Sequence, residues 1–415
     1  MAFAHLLKWL LVLATLPLLV ELLTLTLGAI LPALDLAGDD AESGRAARPP
    51  LTRLMAVVPS HNEELSIARC VQSLEDASGS AKNVIVIAHN CTDATAEIAR
   101  RAGARVEIVN DPLLAGKGHA LKHGFNYAFN ECGAEAVMII DADTTVSPNI
   151  FSEVSRRLAD SPVVQCRYQV RNHADSWRAG LTALAFLGIN VVRPRGRDRL
   201  GLSCGIFGNG FAMRRDVLEN VPYDAHSIVE DMEFHLALVK NGYRVRFVTD
   251  GLVLGDMPLS AANSASQHSR WEGGRLRLLS DWGMPLLRGI LHGKFGLAEP
   301  LIDLLGLPLA LEVLSLFLLL LYPDPATRYY VLAAFGVVLL HLAAVIHASP
   351  DRRESLRNLL LSPVYLFWRV TTVTSVVRAS GKGAAWVRTT RDGSVDVTAR
   401  DMLAPKTANS SQESS

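Results

Sequence analysis

The chain has 415 residues, with 41 Lys and Arg against 41 Asp and Glu, so it carries no net field that would draw nucleic acid, which is not expected as a partner. Charged residues make up 20% and hydrophobic ones 49%, more apolar than a soluble domain of this length needs, and the surplus collects at the N-terminus and beyond about Leu297. The cysteines (Cys70, Cys91, Cys132, Cys166, Cys204) form no Cys-x-x-Cys pair, which argues against a disulfide framework or a zinc site.

Trp9 to Leu34 is almost wholly apolar and long enough to cross a ~30 Å hydrocarbon layer as a helix. It is too long for the core of a cleaved signal peptide, so residues 1–36 are expected to form a transmembrane helix. Glu21 lies in mid-span, where a charge is costly, and is expected to face another helix or to be protonated. A polar linker, 37–53, follows. Its Arg45, Arg48 and Arg53 place the next domain on the cytoplasmic side of a plasma or inner membrane.

From Leu54 the pattern alternates strand and helix, the signature of a parallel sheet with right-handed crossovers. Strands are expected at Leu54–Pro59, Asn83–Ala88 and Arg105–Val109, with helices at Ser66–Asp76 and about Ala94–Ala102. The segment Gly116-Lys117-Gly118 opens a further helix to about Phe129. It is not a P-loop, but its glycines allow backbone N–H groups to approach a phosphate, with Lys117 as a point charge. Val137–Ile140 is then a buried strand, and Asp141 and Asp143 stand where it emerges. Taken alone, either feature reads equally well as solvated surface. Polar clusters at 60–64 and 89–93 also follow strands, however, and converge on the same carboxyl edge, where open α/β sheets bind ligands.

The next stretch is less regular. Val163–Val170 reads as a strand, Leu181–Val192 as an apolar helix, and Arg193–Arg199, with four arginines, Pro194 and Gly196, as a mobile basic loop. Gly205–Phe211 is glycine-rich and suits close backbone approach to a ligand. Glu230 and Asp231 precede an amphipathic helix, and Arg244–Val248 reads as a strand. Residues 273–296 interleave leucines with Arg275, Arg277, Arg288 and Lys294, as a helix lying on a membrane surface does. Within 297–348, Leu301–Tyr322 and Tyr329–His347 are expected to form a transmembrane hairpin. In 349–393, Asn358–Val377 is apolar but carries Arg369. Its crossing would put the basic tail Arg378–Arg391 outside, so it is read as interfacial or re-entrant with a cytoplasmic tail. Residues 394–415 are a polar, disordered end.

Five segments now stand in order: Val58-Pro59-Ser60-His61-Asn62-Glu63-Glu64, Asn90-Cys91-Thr92-Asp93, Asp141-Ala142-Asp143, Glu230-Asp231 and Gln267-x-x-Arg270-Trp271. Together they resemble the family 2 glycosyltransferases of the GT-A fold, especially the membrane-bound polysaccharide synthases. The resemblance covers residues 54–272. It implies an α/β catalytic domain with a Rossmann-like, mostly parallel sheet, flanked by transmembrane helices. It further implies that Pro59, Glu63, His89 and Asp93 cradle the nucleoside, with Lys117, Asp141 and Arg270 as further donor contacts. Asp141 and Asp143 would hold Mg²⁺ or Mn²⁺, Asp231 would be the general base, and Glu230, Gln267 and Trp271 would lie near the acceptor.

The chemistry agrees with those roles. Carboxylate oxygens suit a hard cation that bridges a diphosphate, and a separate carboxylate must take the acceptor's hydroxyl proton. The expectation is therefore an inverting transfer of a hexosyl or N-acetylhexosaminyl group from a nucleotide-diphosphate sugar, UDP-linked in the first instance. The acceptor would be a glycan or lipid-linked, in cell-surface polysaccharide biosynthesis, with other synthesis subunits as potential partners. His89 departs from the family, whose members usually carry an acid there, and leaves the nucleotide open. Two rival readings stand beside this one: a haloacid-dehalogenase-type phosphatase with Asp141 as nucleophile, and a non-catalytic subunit of a glycan synthase.

Overall fold

The computed structural model describes residues 2–34, 51, 53–114, 116–224, 229–257 and 261–366. Arg45, Arg48, Arg369, the tail Arg378–Arg391 and the polar end 394–415 lie outside the described residues.

The chain opens with α1 (Ala2–Ile30), apolar all round. The catalytic-domain candidate then runs β1 (Leu54–Ser60), α2 (Ile67–Ser78), β2 (Val84–His89), α3 (Thr95–Arg101), β3 (Arg105–Val109), α4 (Lys117–Asn126) and β4 (Ala136–Ile139). It continues with β5 (Thr145–Val146), α5 (Ile150–Asp160), β6 (Val163–Val170), α6 (Trp177–Leu187) and α7 (Arg193–Arg199). β7 (Phe211–Arg214), α8 (Arg215–Asn220), α9 (Glu230–Lys240) and β8 (Val245–Gly255) complete it. Last come α10 (Ala261–Leu291), α11 (Ala298–Leu305), α12 (Leu309–Leu319), α13 (Pro325–Ala348) and α14 (Arg352–Leu359).

One eight-stranded sheet, in the order β3-β2-β1-β4-β7-β6-β8-β5, organises the domain. β3, β2, β1 and β4 are parallel, as strand–helix alternation requires, and β6 pairs parallel with β8. β7 runs antiparallel to β4 and β6, and β5 runs antiparallel to β8, so the sheet is mixed beyond β4. β7 is reached through the Gly205–Gly210 loop at the carboxyl edge and must run back across the sheet. Alternate strand residues feed two cores. Ala56 and Val58 join Ile67, Val71 and Leu74 of α2 and Val154 of α5 on one face. Met55 and Val57 join Leu121 and Phe125 of α4 and Phe234 of α9 on the other.

The expected basic loop at Arg193–Arg199 is instead helix α7, with Pro194 in its first turn. Two of its four arginines are withdrawn from solvent. Arg193 and Arg197 are buried and pair with Glu21 of α1 and with Asp303 of α11, and Arg197 also pairs with Glu299. Arg193 Nε donates to Glu21 Oε1 at 3.0 Å, so Glu21 faces another helix as its position required. Gly196 permits the crossing, since a Cβ there would lie 2.0 Å from the Leu25 carbonyl oxygen. Four like charges in seven residues suggested a loop because the neutralising carboxylates lie on elements remote in sequence.

α10 buries Leu278 and Leu286 with Leu236 of α9 and Leu304 of α11, and leaves Met284, Leu287 and Leu291 exposed. The expected span Leu301–Tyr322 is not one straight helix. Phe295–Leu305 and Leu309–Leu319 meet at a 73° bend. Gly306 and Pro308 occupy the break, and proline there removes a helix donor and restricts the residue before it. By length and composition, His5–Ile30 and Pro325–Ala348 can cross a membrane, and the bent pair makes a third if counted as one.

Candidate active site

The apolar run of β4 delivers Asp141 to the carboxyl edge, and buried polar groups fix the turn that follows. The Asp141 N–H donates to Asn209 Oδ1 at 3.1 Å, and Asn209 Nδ2 donates to Thr144 Oγ1 at 2.8 Å. Thr144 Oγ1 in turn reaches Asp143 Oδ1 at 3.2 Å, so one amide sets the backbone of the first aspartate and the side chain of the second. Asn209 is itself held by Gln165, whose Nε2 donates to the Asn209 carbonyl at 2.8 Å and whose Oε1 accepts the Phe207 N–H at 3.1 Å. Asn209 and Gln165 are fully buried. Sequence reasoning missed both. Asn209 lay inside a stretch read for its glycines, and Gln165 inside an otherwise apolar strand.

Lys117 enters from the start of α4, where Gly116 takes φ +120°. Its Nζ donates to Asp141 Oδ1 at 2.5 Å and to the Gly208 carbonyl at 2.6 Å. Gly208 has φ +74°, and a Cβ there would stand 3.0 Å from Asp231 Oδ2. The glycine loop thus brings Asp141, Lys117 and Asp231 into one place, although they lie on three elements. Burial by itself would lower the Lys117 ammonium, but Asp141, Glu230 and Asp231 outweigh it and hold its pKa above the ordinary lysine value. Burial raises the Asp231 carboxyl, against backbone hydrogen bonds and Lys117, which act to lower it. Glu230 is pushed up to about 7, first by burial and then by Asp231. Arg270 is drawn down by burial, with Glu230 acting the other way, which ties α10 electrostatically to the same cluster.

The loops after β1 and β2 form a second group. His61 Nδ1 lies 2.8 Å from the His89 carbonyl, the Glu63 N–H donates to Thr95 Oγ1 at 2.7 Å, and the Glu64 N–H donates to Asp93 Oδ2 at 3.2 Å. Asp93 Oδ1 accepts from the Thr95 N–H at 3.0 Å and from its hydroxyl. Asp93 therefore knits the two loops and starts α3. Pro59 is half-buried beside them, and Glu63 Oε2 accepts from Ser66 Oγ at 3.0 Å. His89 is buried, and its Nε2 has no hydrogen-bond partner. Burial, then His119 and His61, lowers its pKa, so its ring is neutral near pH 7.

On α10, Trp271 is 37% exposed, with ring centroids 5.9 Å from Phe186 and 5.7 Å from His268. Gln267 is partly buried one turn before Arg270 and Trp271. Trp271 thus closes an aromatic group with Phe186 and Tyr168, whose rings lie 5.5 Å apart.

A Rossmann-like α/β sheet gathers acids around one partly buried lysine at its carboxyl edge, on a fold of the GT-A type. The chain belongs to the glycosyltransferase-like family 2, whose model matches residues 49–274. It is 23% identical over 234 residues to a probable glycosyltransferase, YdaM, of Bacillus subtilis, covering 54% of this chain and 55% of that protein. It is 22% identical over 261 residues to an N-acetylglucosaminyltransferase of Rhizobium leguminosarum bv. viciae, covering 58% of this chain and 59% of that one. The chain therefore spans between half and two thirds of the length of these curated relatives. Among solved structures, the mannosyltransferase PcManGT of Pyrobaculum calidifontis, in complex with GDP-Man and Mn²⁺, aligns at 18% identity and a TM-score of 0.47. That alignment covers 90% of this chain and 99% of that one.

Proposed function

We propose that the chain is a membrane-bound, inverting glycosyltransferase. It moves a hexosyl or N-acetylhexosaminyl group from a nucleotide-diphosphate sugar to a hydroxyl of a glycan or lipid-linked acceptor, at the cytoplasmic face and in cell-surface polysaccharide synthesis. Lys117 carries this reading: it bonds Asp141 and the Gly208 carbonyl, and Asp231 packs on Gly208. A fixed positive charge thereby lies between Asp141 on one side and, across Gly208, the separate and partly buried Asp231 on the other.

In this arrangement Lys117, kept charged by its neighbours, attracts the donor's diphosphate and offsets the charge left on it as the glycosidic bond breaks. Asp231 accepts the acceptor's hydroxyl proton, and its raised pKa makes it a stronger base than an ordinary carboxylate. One displacement, with the base opposite the leaving group, inverts the anomeric carbon. Trp271 offers a partly exposed ring face on which an acceptor sugar stacks, with Gln267 and Arg270 beside it. His89 presents a neutral ring nitrogen to the base, and a UDP-sugar is the first donor to test.

The donor set fits a divalent cation that arrives with its substrate. Among the described residues no group of three or more His, Cys, Asp or Glu side chains is placed to hold a metal alone. Mg²⁺ commonly binds through one or two carboxylates and takes its remaining ligands from substrate phosphates, which Asp141 and Asp143 allow. When bound, Mg²⁺ or Mn²⁺ would neutralise charge on the departing diphosphate.

Membranes from cells expressing the chain, supplied with a panel of nucleotide sugars, should release nucleoside diphosphate from one of them, and EDTA should abolish the release. Asp231→Asn should lower turnover by about 10²–10⁴-fold while donor binding is retained. Unchanged turnover in that variant would sink the role of Asp231, and an unchanged phenotype would favour the non-catalytic subunit. A trapped aspartyl-phosphate at Asp141 would favour the phosphatase.

A further inference from the structure

α13 is long and apolar enough to cross a membrane, and it ends at Ala348. Ser349 leaves the helix in an extended conformation, Pro350 follows, and α14 starts at Arg352. Two glycines fix the level of α14 against that end. A Cβ at Gly188, just after α6, would lie 3.0 Å from His341 Nε2 of α13, and a Cβ at Gly180 of α6 would strike the Asn358 amide of α14. From Gly180 to Gly188 is about 12 Å of helix, and His341 is itself about 10 Å short of Ala348, at ~1.5 Å per residue. Asn358 therefore lies no more than a few ångström past the end of α13, and α14 stays level with it.

The two faces of α14 differ in kind. Placed at about 100° per residue, Arg352, Leu356, Leu360, Arg353 and Arg357 follow one another around about 140° of arc, and all five are exposed. The opposite face packs inward. Ser355 Oγ donates to Ser349 Oγ at 2.8 Å, Asn358 meets α6, and Glu354, the one acid within α14, lies 3.1 Å from His173 Nδ1. Asp351 is the N-cap, and its Oδ1 accepts the Glu354 N–H at 3.0 Å. The outward face is thus two leucines flanked by three arginines, with no acid among them. Among the described residues, Arg352, Arg353 and Arg357 make no hydrogen bond or ion pair through their side chains. Arg352 and Arg353 also stand in the first turn, where the helix dipole disfavours a cation. Exposed leucines between unpaired arginines, level with the end of a span, match a bilayer boundary: acyl chains take the leucines and phosphates take the guanidinium groups.

We propose that the outward face of α14 docks on anionic lipid, with Leu356 and Leu360 at the acyl boundary and Arg352, Arg353 and Arg357 on headgroup phosphates. The proposal rests on α13 crossing the bilayer, but not on the assigned transfer chemistry. The full chain carrying Leu360→Cys, labelled with a fluorophore, is reconstituted in nanodiscs of phosphatidylcholine with increasing phosphatidylglycerol. Some of the lipid bears a quencher high on its acyl chain. The unsubstituted chain, labelled in parallel, corrects for the native cysteines. Phosphatidylglycerol should bring the label into contact with the lipid-borne quencher and shield it from aqueous iodide, and Leu356→Cys should behave alike. In the Leu360→Cys background, Arg353→Gln should raise the phosphatidylglycerol fraction needed for half the quenching about fivefold. Arg100→Gln, on an exposed position of α3, should leave that fraction unchanged. Equal quenching in phosphatidylcholine alone would overturn the anionic-lipid assignment, as would an unchanged titration in Arg353→Gln. A label at both positions that stays open to iodide and unquenched by lipid would overturn docking itself. The readout uses no substrate, so failure here is separable from failure of the glycosyl-transfer reading.

Discussion

Asn209→Ala tests whether the two aspartates owe their placement to one buried amide. The substitution removes the acceptor of the Asp141 N–H and the donor to Thr144 Oγ1, at 3.1 and 2.8 Å, in a site with no solvent to replace them. A buried group left unsatisfied costs about 1–3 kcal/mol, so two such groups amount to about 2–6 kcal/mol. At roughly 2–4 °C per kcal/mol for a large domain, the Tm of the purified protein should fall by at least about 4 °C. The functional loss should be larger than stability alone explains. A misplacement near 1 Å costs about 10²-fold in rate, and both Asp141 and Asp143 lose their anchor together. Nucleoside diphosphate release at saturating donor, measured well below the variant's Tm, should therefore drop about 10²-fold. Asn209→Asp separates the two effects. It keeps an acceptor for the Asp141 N–H, but loses the donor to Thr144 and adds a third negative charge beside the pair. Its Tm should recover in part and its turnover should not. Wild-type turnover in Asn209→Ala, with the Tm lowered as expected, would refute the claim that this amide positions the carboxylates.

Burial and Asp231 push Glu230 up to about 7 from an ordinary 4.5, so its contribution to stability is complete below pH 4.5 and is lost as pH rises through 7. The wild-type Tm should fall more across that window than the Tm of Glu230→Gln, and parallel curves would remove the basis for the shift. Gly208→Ala places a Cβ 3.0 Å from Asp231 Oδ2 at φ +74°, with strain of about 1–2 kcal/mol. It should lower kcat with little change in donor KM, and a rise in KM alone would count against Asp231 as the base. Gly196→Ala drives a Cβ to 2.0 Å from the Leu25 carbonyl and should part α1 from α7, breaking buried pairs worth about 3–5 kcal/mol. Gly242→Ala, at φ +81° with open space, should cost only about 1–2 kcal/mol, and equal Tm losses would refute the tight crossing.

The parts that were legible in the sequence are those whose determinants are local. β1, β2, β4 and β6 are unbroken apolar or β-rich runs, and Asp141-x-Asp143 follows one of them directly, so strand and carboxylates are read together. Gly205–Phe211 suggested close backbone approach, and Gly205, Gly208 and Gly210 do take positive φ. What that stretch approaches was hidden, because Lys117 and Asp231 meet it only through the fold. The break after Leu305 carries its own signal in Gly306 and Pro308, which a window of average hydropathy smooths away. α7 was illegible for a different reason: seven residues with four arginines become a buried helix only if carboxylates arrive from elsewhere. They do, from α1 and α11, 102 to 176 positions away.

The same helix also binds the sheet, through Asp198 and the arginines of α5 and β8. One short element is thus locked by charge on both sides, to α1 and to the sheet. Gly205, the first residue of the loop that brings Lys117 to Asp231, follows Arg199 by six residues. The charged contacts that join α7 to α1, α11 and the sheet thus end six residues before the glycine loop that carries Gly208.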